Sequence, residues 1–203
     1  MMIELKPGDV ILWPRDKTQN LYTLLLEWAK NAISGVTKNP QLADFAAKLA
    51  VNTLADSMKH KYIHVEITLL NNHLFGAWFN GTHLWKPSLD QRVQIIKDTS
   101  IFRPVVEIDE NKLAKVAMKY RNKPYDFTSL ILNAAIEVGA FGQEEAEKRL
   151  EELAKSMYVN NNALICSELI AKIYEDLGYK IERHSEYVTP DDIAQSPIFK
   201  QIK

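Results

Sequence analysis

The chain has one cysteine in 203 residues, so it can form no internal disulfide and no multi-cysteine zinc site. Neither charge is in excess: 25 Lys and Arg stand against 26 Asp and Glu, a formal net charge of -1. That excludes a uniformly basic nucleic-acid-binding domain, and no nucleic-acid partner is expected. No apolar run is long enough to span a bilayer, so no integral membrane segment is expected. Glycine (7) and proline (8) are thinly spread, and no linker, repeat or low-complexity tract divides the chain. No His-Glu-x-x-His or Cys-x-x-Cys spacing occurs, so neither a metal nor another cofactor is expected. Residues Met1–Asp9 carry an acid and a Pro-Gly turn, unlike a secretory leader. Together with the lone cysteine this leads to an expectation of cytoplasmic residence, which a protein released by lysis would share.

What remains is ordinary globular material, 46% apolar and 25% charged, and the size prior is one domain over 1–203. Lys6-Pro7-Gly8-Asp9 reads as a turn into a short buried strand, Val10-Ile11-Leu12-Trp13, closed by Pro14. Leu21 to Ala32 and Leu42 to Leu54 carry helical periodicity and form a helical insertion at about 18–60. Tyr62 to Leu70, the Asn71-Asn72 turn and His73 to Phe79 read as a hairpin. Gly81 marks a turn before Leu84-Trp85. Val93 to Ile96 and Ile101 to Ile108 read as further strands, with Pro104 at an edge or a bend. From an Asp109 N-cap the period becomes helical until Pro124. Helices are expected again at Thr128 to Val138, at Gln143 to Tyr158 and through Leu169 to Leu177, with Gly178 as the C-terminal stop. Segregated strands and helices predict α+β rather than a doubly wound parallel sheet.

Two residues carry possible chemistry. Cys166 follows a polar loop and opens an apolar helix, where the partial positive charge of the helix start favours the thiolate. The competing reading is a small buried hydrophobe. His64 lies mid-strand in Ile63-His64-Val65-Glu66-Ile67, with Glu66 on its own side of the pleat. It is either a general base or a core histidine. Phe75, Trp78, Phe79 and Trp85 read first as sheet core, and otherwise as the lining of a lipid-like or peptide-like substrate site.

Several segments then occur in one order: Pro7-Gly8-Asp9-Val10-Ile11, Tyr62-Ile63-His64-Val65-Glu66-Ile67, Phe102-Arg103-Pro104, Asn122-Lys123-Pro124-Tyr125-Asp126-Phe127, Ile165-Cys166-Ser167-Glu168-Leu169-Ile170 and Thr189-Pro190-Asp191-Asp192-Ile193. In this the chain resembles the permuted NlpC/P60 superfamily, the circularly permuted papain-like enzymes, and within it the YiiX/YebB-like branch. The resemblance implies an antiparallel sheet or small barrel packed on helices, here with the helical insertion. It implies a cysteine-dependent hydrolase or acyltransferase, peptidase-like or amidase-like, acting on amide, thioester or ester bonds. Cys166 matches the nucleophile and His64 the general base, and Tyr125 and Trp78 are candidates for substrate contact. The substrate class is a small molecule, a peptide or an acyl lipid. At the position of the family's third polar residue this chain has Gly76, which cannot orient an imidazole. Glu66 is the candidate to replace it, with His73, Asn80 or a backbone carbonyl as others. The alternative is a catalytically degenerate papain-like domain that binds a peptide, a cell-wall fragment or a lipid. Oligomeric state is left open.

Overall fold

The computed structural model describes residues 3–14, 61–78, 80–126, 163–181, 185 and 188–203. The chain divides into two compact units, one of Met1–Lys17, Lys61–Tyr125 and Asn162–Lys203, the other of Thr18–His60 and Asp126–Asn161. The sheet and the helices packed on it belong to the first unit. The helical insertion at 18–60 and the helices expected at 128–138 and 143–158 lie outside the described residues, as does Phe79.

The fold is α+β, built on an open six-stranded antiparallel sheet. Its strands are β1 (Val10–Pro14), β2 (Tyr62–Leu69), β3 (His73–Trp78), β4 (Gly81–Trp85), β5 (Ser100–Pro104) and β6 (Phe199–Gln201). In space they run β4-β3-β2-β1-β5-β6. Helices α1 (Leu89–Asp98), α2 (Glu110–Lys119), α3 (Cys166–Leu177) and α4 (Pro190–Gln195) complete the described part. The expected hairpin forms between β2 and β3, and Asn71 and Asn72 take the left-handed conformations its turn requires, each with φ of 59°.

Alternation sorts the strand residues onto two faces. On one, Val10, Leu12, Val65, Ile67 and Phe75 pack with the buried stripe of α3, including Leu169, Ile170 and Ile173. On the other, Ile11, Leu74 and Ile101 meet Ile95 of α1 in a smaller apolar cluster.

The strand expected at Val93 to Ile96 is instead part of α1. A capping box decides it: Ser88 Oγ accepts from Gln91 N, and the Gln91 side chain accepts from Ser88 N at 2.8 Å. Of that short apolar run only Ile95 is buried, and Val93 is 53% exposed, as one face of a helix dictates. Pro104 is at the end of an inner strand, β5, rather than on an edge. Strand β6 carries no sequence signal of its own, because three residues are too few to show a period.

The segments of the sequence resemblance hold the fold together. Asp9 is fully buried and pairs with Arg103 through two 2.8 Å bonds, while accepting from Lys6 N at 2.8 Å. Tyr174 on α3 donates to Gly8 O at 2.6 Å, tying the helix to that turn. Thr189 and Asp192 form the capping box of α4. Asp191 accepts from Lys61 N at 2.9 Å and Tyr62 N at 3.1 Å, anchoring the start of the strand that carries His64.

Candidate active site

Cys166 opens α3, where the first backbone N–H groups of a helix lack partners within it. The thiol is 5% exposed. The backbone amides of Val65, Ser167 and Cys166 itself favour the thiolate. Burial opposes them and wins, pushing the thiol up to about 11, with the Glu66 charge adding to the rise. The expectation of a thiol acidified by the helix start is therefore corrected for this closed arrangement. A helix terminus contributes about 1 kcal/mol, less than the removal of a charge from water costs.

His64 is 6% exposed, and burial lowers it from 6.5 to about 3, with the His83 charge adding to the effect. The imidazole is thus neutral at physiological pH. Its ring lies against the Trp78 indole, with centroids 4.0 Å apart and planes inclined by 48°. Among the described residues no hydrogen bond joins it to Cys166, and Nε2 is buried without a partner. The thiol packs beside Val65, in the helix-side core, and Val65 is the next residue of the strand after His64. His64 and Glu66, being two apart, share the opposite side of the pleat.

Glu66 is fully buried. Its Oε1 accepts from Trp78 Nε1 at 3.0 Å and from Trp85 Nε1 at 2.8 Å. The Trp13 indole also stabilises the charge, although Trp13 Nε1 and Glu66 Oε2 fall short of a hydrogen bond. Burial still outweighs the indoles and raises the carboxyl above its ordinary range. Gly76 is directly opposite Glu66 in the β2–β3 register. A Cβ there would stand 2.8 Å from Glu66 Cγ and 3.2 Å from Oε1. The glycine that sequence reasoning read as a lost polar group is thus the space the Glu66 side chain occupies.

Of the other candidates, His73 Nδ1 lies 3.0 Å from Leu70 O in the hairpin turn, and Asn80 is exposed. Tyr125 forms an isolated bridge with Leu164, supported by Leu164 N donating to Pro124 O at 3.0 Å, and its ring packs on the main core. That brings the Tyr125 segment beside the approach to Cys166. Phe75 and Trp78 fall on opposite faces of the sheet, so the aromatic group is not one lining. Sequence reasoning missed Trp85 and Trp13 as partners of Glu66, since contacts across strands leave no spacing to read. A cavity of about 510 Å³ beside α1, lined by Ile3, Leu89 and Val93 among others, contains none of the candidate residues. No group of His, Cys, Asp and Glu among the described residues could hold a metal ion. No helix among them is long and apolar enough to cross a membrane.

No family model, no curated protein and no solved structure matches the chain.

Proposed function

We propose that the chain is a circularly permuted papain-like protein and a cysteine-dependent hydrolase or acyltransferase of amide, thioester or ester bonds. The observation that carries this reading is Cys166 at the first turn of α3, packed in the same core as Val65 of the strand that bears His64. In the reaction the His64 ring has to move from the side of the pleat it shares with Glu66 to reach the Cys166 sulfur; it then takes the thiol proton and the sulfur attacks the acyl carbon. The proton then passes to the leaving group as it departs. Water or another acceptor attacks the resulting thioester, losing its proton to His64, and the free thiol returns. The N–H groups at the helix start are the donors available to the developing oxyanion. Glu66 is the polar residue assigned to support His64. The resting pair is neutral, so proton transfer accompanies substrate entry rather than preceding it.

A second reading, a papain-like domain that binds without turning over, is favoured by one observation: thiol and imidazole are both buried, neutral and not hydrogen-bonded to each other. One experiment decides between them. Cys166 alkylation by iodoacetamide is followed from acid to alkaline pH in the wild type and in His64→Ala. The enzyme reading expects the neutral-pH rate to fall by about tenfold or more in the variant, the lower range of general-base assistance. Superimposable profiles, both following a single ionisation of a buried thiol, would establish the binding module instead.

A further inference from the structure

We infer that Trp78 is a positioning residue for His64, and that Glu66, given room by Gly76, holds Trp78 in place for that task. The inference rests on the reading of His64 as the general base. Among the described residues no polar partner orients the imidazole at Nε2. What the ring meets is the Trp78 indole, 4.0 Å away between centroids. A ring held by a neighbouring ring is only as well placed as that neighbour.

That neighbour is fixed at its polar edge. Trp78 Nε1 donates to Glu66 Oε1 at 3.0 Å, and Trp85, from the neighbouring strand, donates to the same oxygen at 2.8 Å. The carboxylate is fully buried, so its hydrogen bonds face no competition from water. It reaches both indoles because residue 76 has no side chain: a Cβ there would overlap Glu66 Cγ at 2.8 Å. Trp78 is therefore bound at its N–H and occupied on its ring, an arrangement that apolar packing alone does not require. The ring also bears on the charge that forms. An indole face attracts a cation, so Trp78 favours the imidazolium at the moment His64 accepts the thiol proton.

Three variants separate reach from charge. Glu66→Gln keeps the length and an acceptor oxygen. Glu66→Asp keeps the carboxyl but is one methylene short. Gly76→Ala keeps Glu66 and displaces it. Two quantities are read in each: the NMR shifts of the His64 ring protons, which the Trp78 ring current sets, and the Cys166 alkylation rate at neutral pH. The expected result is wild-type ring shifts in Glu66→Gln, which keeps both indole bonds within reach. In Glu66→Asp and Gly76→Ala the ring shifts move, and the rate falls by about tenfold, the scale of a modest misplacement of a reacting group. Glu66→Asp introduces no clash and is the variant to rely on where Gly76→Ala does not fold. His64 shifts that stay at wild-type values in Glu66→Asp, or that move as far in Glu66→Gln, would overturn the inference. Should His64→Ala alkylate like the wild type, the acyl-transfer reading has failed, while the His64 ring shifts still decide whether Trp78 and Glu66 place the ring.

Discussion

On its helix-facing side the sheet presents Val10, Leu12, Val65, Ile67 and Phe75, five apolar side chains, to the buried stripe of α3. One residue along the same strands, the other side presents His64 and Glu66 among the Trp13, Trp78 and Trp85 indoles. The first face derives its stability from area removed from water, which is indifferent to pH. The second buries an imidazole held neutral and a carboxyl that burial raises above its ordinary range, so its stability depends on protons. Parity along a strand thus separates a mainly apolar face, where the Cys166 thiol is buried, from a face that carries the buried imidazole and carboxyl.

Acid should break the comparison most strongly. His64 titrates at about 3 when folded and near 6.5 when unfolded, so the stability tied to its neutral form is intact above 6.5 and drains away as pH falls towards 3. At roughly 1.4 kcal/mol per pH unit the full loss is about 4 to 5 kcal/mol. Urea titrations at a series of pH values should show this slope in the wild type and a shallower one in His64→Gln. Equal slopes would move the acid sensitivity to other groups. Next in size is the apolar face: Leu169→Ala should cost about 3 kcal/mol, with the same value at mildly acid and neutral pH. A pH-dependent cost would show that the two faces are coupled. The smallest effect sharpens the link between them. Thr189→Ala removes the capping side chain of α4, the helix that presents Asp191 to the start of β2, and should cost about 1 kcal/mol by thermal melting.

The sequence made some of this legible and hid the rest for definite reasons. Tyr62 to Leu69 was readable as a strand because β-branched and aromatic residues cluster there, and Asn71-Asn72 because few other residues adopt positive φ so readily. Val93 to Ile96 misled because a few apolar residues fit either period, and the capping box at Ser88 and Gln91 was the overlooked signal. Cys166 was legible as a helix start, but its ionisation was not, since the depth of burial is a tertiary quantity. Gly76 was the most deceptive position. Its meaning depends on Glu66, which is adjacent across the β2–β3 register and ten residues away in the chain.

The bond from Asp191 to the backbone at Lys61 and Tyr62 joins residues separated by about 130 positions. Its consequence is kinetic. The β2–β3–β4 meander is made of neighbours and can form early, during synthesis, whereas β6 and the Asp191 anchor must wait until residues beyond 190 have emerged. Until then the outer side of β5 is an unpaired edge and the start of β2 is untethered. The strand bearing His64 is among the earliest parts able to form and among the last to be secured, so an emerging chain holds its histidine and its cysteine for an interval before the anchor that fixes that strand is in place.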